Sequence, residues 1–139
     1  MAETTGKSLR VVVVTPERAV LDEPAELVTL PMYDGEHGVM AGHSAFVGQL
    51  GPGELRITTG TETKRYYIDG GFVQVAGGVV NVLTAKAVEA TKLTGAAAIT
   101  ARTAADALPA TNTVERESRN KAIARAQGMA KVAVKNPLV

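Results

Sequence analysis

The 139-residue sequence has no cysteine, no tryptophan and only two histidines, and 4% of its residues are aromatic. The absence of cysteine excludes a disulfide scaffold and thiol catalysis. With so few aromatic residues, a core must consist of Val, Leu, Ile and Ala. The longest apolar run, residues 11–14, is far short of the roughly 20 residues that a membrane helix needs, and residues 1–10 lack the apolar segment of a secretion signal. These absences predict a soluble, cytoplasmic protein.

The charges are unevenly distributed along the chain, although the net charge is only +1. Residues 1–93 hold 8 basic and 11 acidic side chains, whereas residues 94–139 hold 7 basic and 3 acidic ones. The near-neutral total argues against nucleic-acid binding. A basic C-terminal part on a mildly acidic body instead predicts an acidic partner surface.

Residues 9–87 consist of short runs rich in Val, Ile, Thr and Tyr, separated by glycine and proline. In residues 55–58 and 72–75, alternate side chains fall on opposite faces, as in half-buried strands. We interpret residues 51–53 (GPG) and 70–71 (GG) as turns between strands. The pattern predicts an antiparallel β-sandwich or barrel.

The composition changes after residue 92, where alanine becomes dominant. Thr94 is a candidate N-cap for a first helix, which Pro109 ends because proline cannot donate a backbone hydrogen bond. Asn112 or Thr113 can cap a second helix that runs to about residue 135. Two helices joined by a short loop form a helical hairpin.

The second helix combines an alanine-rich apolar stripe with a basic side. The stripe consists of Ala122, Ile123, Ala126, Met129, Ala130 and Ala133, and the basic side of Lys121, Arg125, Lys131 and Lys135. Because burial contributes roughly 25 cal/mol per Å² of apolar area, an alanine stripe stabilises docking less than a leucine stripe would. Such a helix could leave its resting site for an acidic one. The alternative is an ordinary docked helix with a solvated basic side.

The motifs of catalysis are missing. The sequence contains neither a phosphate-binding GxxxxGK[ST] loop nor a GxSxG nucleophile motif. Asp34, Glu36, His37 and His43 are of metal-ligating types, but their spacing is not that of a conventional metal site. The sequence therefore predicts neither an enzyme nor a metal protein.

Four segments resemble, in order, motifs of the epsilon subunit of F-type ATP synthases. Residues 30–43 (LPMYDGEHGVMAGH) resemble LPxxxGExGVLPGH, and residues 50–57 (LGPGELRI) resemble LxPGxLRI. Residues 67–75 (YIDGGFVQV) and 80–84 (VNVLT) are similar to YxVSGGFxEV and VTVLAD. The helical hairpin follows them, so the resemblance covers the whole chain.

The resemblance implies a β-sandwich of about ten antiparallel strands, residues 1–90, followed by a C-terminal α-helical hairpin, residues 91–139. It implies a non-catalytic subunit of the central stalk, without a cofactor, that couples proton-driven rotation of the membrane c-ring to ATP synthesis. Its partners would be the gamma subunit, the c-ring and, through the helices, the beta and alpha subunits. Its location would be peripheral, at the cytoplasmic face of the inner (plasma) membrane.

The resemblance also implies a site for the c-ring contact. The family's loop residues for that contact correspond to Gly35, Glu36 and His43. A loop held by glycine turns can present a carboxylate and an imidazole to a polar partner. The alternative is that Gly35, Gly38 and Gly42 only permit positive φ in tight turns, with Glu36 and His43 solvated.

In the family, the hairpin can extend along gamma, and its basic face then meets an acidic segment of a beta subunit and blocks rotation in the hydrolysis direction. The residues that correspond to this inhibitory face are Lys121, Arg125, Lys131 and Lys135. Several exposed charges together can bias such a two-state equilibrium, although each pair contributes little.

The sequence departs from the family pattern at two places. Two prolines of the loop are replaced by Ala41 and Ala45, so we expect a less rigid loop. The (I/L)DxxRA signature of relatives that bind ATP is also missing, because Thr94 stands at the position of the Asp and Ala97 at that of the Arg. We therefore expect no ATP binding by this chain.

Two other classes of protein compete with this interpretation. The first is a free-standing β-sandwich module that binds a sugar or lipid, with the helices as an oligomerisation arm. The chain lacks the aromatic platform that such modules commonly use, since it has no tryptophan and three tyrosines. The second is a small hydrolase, which the missing motifs make remote.

Overall fold

The structure, a computed structural model, describes residues 9–134. Eight strands are followed by a short 3₁₀ turn and two α-helices. The strands are β1 (Leu9–Val14), β2 (Ala19–Ala25), β3 (Leu27–Met32), β4 (Gly35–Met40), β5 (Phe46–Thr59), β6 (Glu62–Ala76), β7 (Val79–Leu83) and β8 (Ala87–Glu89). The helical part comprises the 3₁₀ turn (Ala90–Lys92), α1 (Gly95–Asp106) and α2 (Thr113–Val134).

The strands form one continuously hydrogen-bonded sheet in the order β2-β1-β7-β6-β5-β3-β4, with β8 beside β6. The long strands β5 and β6 pair along most of their length and belong to both layers of the sandwich. The second half of β6 pairs with β7, and its first half pairs with β8. The second half of β5 pairs with β3.

The strand count differs from the ten expected because two predicted turns lie inside strands. Pro52 pairs with Asp69 and Gly53 with Ile68, so residues 51–53 belong to β5. The glycine pair at 70–71 belongs to β6 and has φ values of 71° and 115°. A Cβ at Gly71 would lie 2.0 Å from the carbonyl oxygen of Leu83, so glycine is required where β6 bends past β7. Both strands therefore continue through these glycines instead of ending at them.

The prediction of purely antiparallel strands also needs correction, since β1 and β7 pair in parallel. The core follows from period-2 alternation: in β1, Leu9, Val11 and Val13 are buried while Arg10 is exposed. The buried side chains are almost all aliphatic, as the shortage of aromatics requires. They include Val28, Leu30, Val39, Leu50, Leu55, Ile57, Ile68, Val73, Val80 and Val82.

The two helices begin where the sequence predicts. The Thr94 side chain accepts a hydrogen bond from the Ala97 amide at 3.0 Å and caps α1. Asn112 Oδ1 accepts one from the Glu115 amide at 2.9 Å, which settles the choice of cap for α2 in favour of Asn112. In the described part of the chain, neither helix has the length and apolar character needed to cross a membrane.

Candidate functional site

The three residues predicted to contact a ring lie at one edge of the sandwich. Gly35 begins β4, Glu36 follows it, and His43 lies in the loop between β4 and β5. All three are exposed. Together with His37 and Phe46 they line one concave surface, so the structure brings the predicted residues together.

Glu36 is held by an arginine of β5, two strands away in the same sheet. Arg56 donates two hydrogen bonds to its carboxylate, at 3.0 and 3.1 Å, and a third to Glu54 at 2.8 Å. The hydrogen bonds to Glu36 and then to Glu54 raise the pKa of Arg56 above its ordinary value. The Glu36 carboxylate is therefore oriented rather than simply solvated, a feature that the sequence motif does not reveal.

His43 is fixed by a second histidine. Its Nδ1 lies 2.7 Å from the Ser44 carbonyl oxygen, and because a carbonyl only accepts, this nitrogen carries the proton. In the neutral imidazole, His43 Nε2 then accepts a hydrogen bond from His37 Nε2, 3.1 Å away. Both imidazoles also pack against the Phe46 ring, with centroids 5.3 Å and 5.2 Å from it. This cluster closes the loop that lacks the family's prolines.

The glycines of this edge do not all play the same part. Gly35 and Gly42 have positive φ values of 135° and 88°, which favour glycine. Gly38, for which the sequence suggested the same role, has an ordinary φ because it lies within β4. The prediction of a special backbone conformation at Gly38 is wrong. Among the described residues, no three or more His, Asp or Glu side chains are grouped so as to hold a metal ion.

The helical hairpin rests on the sandwich, and α2 makes the contact. A second buried cluster joins it to the sheet, formed by Tyr67 of β6, Ala90, Leu93, Val132 and Ala133. Gly128 comes closest: a Cβ there would lie 2.9 Å from the Pro52 carbonyl oxygen. The absence of a side chain at Gly128 therefore allows the helix to lie against β5.

Polar contacts reinforce this docking. Arg65 Nη2 donates to the Val132 carbonyl at 3.0 Å, and Tyr67 Oη donates to the Arg125 carbonyl at 3.3 Å. Arg125 Nε lies 2.8 Å from Asp69 Oδ1. Burial beneath the helix raises the pKa of Tyr67 well above its ordinary value. The helical hairpin, called the arm from here on, is thus held by a small apolar cluster and several hydrogen bonds, two of which involve charged side chains.

Comparisons with known proteins identify the family. The family model described as ATP synthase, Delta/Epsilon chain, beta-sandwich domain, matches residues 8–90. The chain belongs to this family. It is 45% identical over 123 residues to the ATP synthase epsilon chain of Rhodopirellula baltica, an alignment that covers 87% of this chain and 94% of the relative. It is 36% identical to the sodium ion specific epsilon chain of Propionigenium modestum, over 55% of this chain and 56% of that one.

Solved structures agree with the family match. A chain in the Euglena gracilis mitochondrial ATP synthase, OSCP/F1/c-ring in rotational state 1, superposes with a TM-score of 0.79 at 27% identity, covering 90% of this chain and 81% of that chain. A chain of the Tetrahymena thermophila central stalk/c-ring shares the fold, with a TM-score of 0.66 at 15% identity over 90% and 96% of the two chains.

These comparisons confirm the predicted resemblance to the epsilon subunit of F-type ATP synthases, the β-sandwich followed by helices, and a non-catalytic stalk subunit. They do not favour the free-standing binding module.

The basic residues of α2 do not form one solvent-facing side opposite the apolar stripe, because part of that side contacts the sandwich. Gly128 and Val132, which lie between Arg125 and Lys131 around the helix, contact the sandwich. Arg125 is paired with Asp69, whereas Lys121 and Lys131 are exposed. Lys135 lies outside the described residues.

The alanine stripe mainly faces α1. Ala126 is buried and lines, with Ala98, Ala130 and Ala133, the groove between the two helices. Sequence reasoning missed Gly128, Arg65 and Tyr67 as docking residues, because none belongs to an apolar helical stripe. Arg65 and Tyr67 lie two residues apart on a half-buried strand and therefore share one face of it. This spacing was the sequence signal that could have identified them.

Proposed function

We propose that the chain is a rotor subunit of an F-type ATP synthase, which transmits rotation between a proton-driven c-ring and the catalytic head. The observation that carries this proposal is the 45% identity to an epsilon chain over 94% of that relative's length. The match to a chain of a c-ring complex supports it. The subunit would be bound peripherally, at the cytoplasmic face of the inner (plasma) membrane.

Gly35, Glu36 and His43 are the proposed contact with polar loops of the c-ring. Their exposure and their position on one concave edge support this role. Arg56 orients the Glu36 carboxylate, and His37 leaves His43 in one defined tautomer. A preoriented carboxylate and imidazole lose less conformational entropy on binding than mobile side chains do.

An exposed apolar strip is the proposed contact with gamma. Phe72 of β6 and Leu83 of β7 are cross-strand neighbours, and their side chains are 59% and 54% exposed. Val47, on the adjacent β5, is 73% exposed. Contiguous exposed apolar side chains on a folded protein mark interaction surfaces.

The hairpin is proposed as a separate domain, residues 91–139, that inhibits ATP hydrolysis after it leaves the sandwich domain, residues 1–90. In the docked state Arg125 is occupied by Asp69. It becomes available to an acidic surface of a beta or alpha subunit only when this ion pair opens. The docked arrangement is therefore the non-inhibitory one, and Lys121, Arg125, Lys131 and Lys135 act in the extended arrangement.

Truncation after Leu93 in the assembled ATP synthase tests the inhibitory role. The variant is expected to assemble, because the sandwich with its partner surfaces is retained, and to hydrolyse ATP faster than the intact complex. Unchanged hydrolysis would show that the arm does not inhibit. Loss of gamma from the purified complex would show that the arm is needed for assembly.

Replacement of the four basic residues by alanine tests whether charge is the inhibitory agent. The same rise in hydrolysis is expected, with Lys92→Ala as the matched control. Lys92 is a well exposed cation of the 3₁₀ turn, which precedes the two helices. A rise of equal size in the control would refute a specific basic face.

The ring contact is tested by the ratio of proton pumping to ATP hydrolysis in membranes. Glu36→Ala with His43→Ala is expected to lower pumping for each ATP hydrolysed. Glu17→Ala is the control, since Glu17 is an exposed carboxylate in the turn between β1 and β2. Equal ratios in all variants would contradict the contact.

A further inference from the structure

A continuous line of charged hydrogen bonds joins the proposed ring contact to the docked arm. At one end, Arg56 donates to Glu36 at 3.0 and 3.1 Å. In the middle, Glu54 accepts from Arg56 on one carboxylate oxygen at 2.8 Å and from Arg65 on the other at 2.5 Å. At the far end, Arg65 donates to the Val132 carbonyl of α2 at 3.0 Å.

Glu54 is the junction of this line. Its residue exposure is 6%, so its charge is removed from water and is stabilised by hydrogen bonds from the guanidinium groups of Arg56 and Arg65. Each oxygen of the carboxylate bonds a different arginine, and a shift toward one lengthens the bond to the other. A buried carboxylate of this kind can transmit a change in one partner to the other, because the interactions are strong and short at low dielectric.

The far end of the line is a backbone carbonyl of α2. Val132 is 1% exposed and belongs to the buried cluster between α2 and the sandwich. The Arg65 guanidinium donates to its carbonyl across this interface, so this charge-assisted hydrogen bond forms only while the arm is docked. Arg65 therefore stabilises the docked arm.

We infer that Glu54 couples the loop edge to the arm: what Glu36 binds changes how firmly Arg65 holds α2. This rests on the proposed ring contact and on the proposed inhibitory arm. A partner group can engage the Glu36 carboxylate, or this carboxylate can lose its charge. In either case Arg56 loses one of the two carboxylates to which it donates. Arg56 then draws Glu54 toward itself and away from Arg65, and docking weakens. The state of the ring contact would thus regulate release of the arm.

The inference can be tested on the isolated full-length chain, since docking is a property of this chain alone. The sequence has no cysteine, so one introduced thiol is a unique reporter. Ala133→Cys places this thiol, the arm thiol, in the buried cluster between α2 and the sandwich, where alkylation requires the arm to open. Val80→Cys, in a separate preparation, places a core thiol inside the sandwich and reports global unfolding.

The measurement is a double-mutant cycle of alkylation rates at the arm thiol. Glu36→Gln is expected to raise the rate about threefold and Glu54→Gln at least about tenfold, the lower end for the loss of a hydrogen bond to a charged group. In the Glu54→Gln background, Glu36→Gln is expected to add almost nothing, because the link is already broken. Glu23→Gln, which breaks the Lys64–Glu23 ion pair of 2.9 Å elsewhere on β6, is the matched control and should leave the rate unchanged.

Two results would overturn the inference. The first is that Glu36→Gln leaves the alkylation rate of the arm thiol unchanged. The second is that Glu36→Gln changes this rate by the same factor with and without Glu54→Gln, which would mean that the two sites act independently. If Glu54→Gln also accelerates alkylation of the core thiol, the sandwich itself is opening, and Arg65→Met replaces it as the second mutation. The effect of Glu36→Gln must then vanish in the Arg65→Met background, and its persistence refutes the coupling.

This experiment is separate from the test of inhibition. A positive cycle with unchanged hydrolysis after truncation would leave the coupling intact and remove the inhibitory role of the arm.

Discussion

Gly128 makes the sharpest prediction about how the arm is held, because alanine at this position has two effects of opposite sign. A Cβ would lie 2.9 Å from the Pro52 carbonyl oxygen, 3.1 Å from its carbonyl carbon and 3.4 Å from Tyr67 Cε1. Since ordinary contact begins at 3.4 Å, α2 would have to retreat by about 0.5 Å. The atoms in its way are backbone and cannot rotate aside.

The magnitudes decide which effect dominates. Alanine favours a helix over glycine by about 1 kcal/mol, but α2 is helical in the docked and released arm alike, so this gain cancels in the docking equilibrium. Overpacking costs about 1–3 kcal/mol, and the Tyr67–Arg125 hydrogen bond, already 3.3 Å, is lost on retreat. At about 1.4 kcal/mol per factor of ten, the released population should rise about five- to a hundredfold.

The assay measures the alkylation rate of the arm thiol of Ala133→Cys in the isolated chain. It compares the effect of Gly128→Ala on this rate with that of Asn120→Ala. Asn120 is an exposed position of the same helix, where alanine raises helix propensity without a steric effect. A Gly128→Ala rate within about twofold of the parent would refute the steric argument, since overpacking predicts a larger change. In the assembled complex the variant is expected to hydrolyse ATP more slowly, because the proposed function makes the released arm the inhibitory one.

Burial beneath the docked arm raises the pKa of Tyr67, whereas Tyr67 ionises near its ordinary pKa of about 10 once the arm has left the sandwich. Docking should therefore weaken as pH rises above about 10, and alkylation of the arm thiol should show this in the parent and not in Tyr67→Phe. The hydrogen bond from the Thr111 side chain lowers the pKa of Glu115 below its ordinary value of 4.5. Glu115 therefore stabilises the start of α2 above pH 4.5, and this stabilisation is lost as pH falls through the lowered pKa of the folded state. Hydrogen exchange of the first turn of α2 should increase over that pH range, and Glu115→Gln should abolish the pH dependence. Calorimetry of the isolated chain is expected to detect no ATP binding, and millimolar or tighter binding would contradict this expectation.

The fold was predictable because its signals are local. Period-2 alternation in β1 and the hairpin turns between β5, β6 and β7 depend on neighbouring residues. The eight-strand count was not predictable, because a glycine that ends a strand and one that bends it look alike in sequence. Gly71 differs only in that Leu83, twelve residues away along the chain, passes within contact distance.

The motif singled out Gly35, Glu36 and His43, which the structure places on one surface, while their contact with a ring stays a prediction. It did not reveal that Arg56, twenty residues away, would orient Glu36, or that His37 would close the loop in place of the missing prolines. Pairings across a sheet depend on register, which is set by the whole fold rather than by the loop itself.

The arm shows why hydrophobic periodicity alone misplaces a docking face. The alanine stripe is the most apolar side of α2, but it is matched by the alanines of α1 and is used within the hairpin. The sandwich contacts the side of α2 centred on Gly128. Hydrophobic periodicity does not mark this side as apolar, because glycine allows close approach through its lack of a side chain. Docking there combines a small apolar cluster with the charged contacts of Arg65 and Asp69 and with close fit. An arm held in this way responds to changes in charge, whereas one held by a leucine stripe would not.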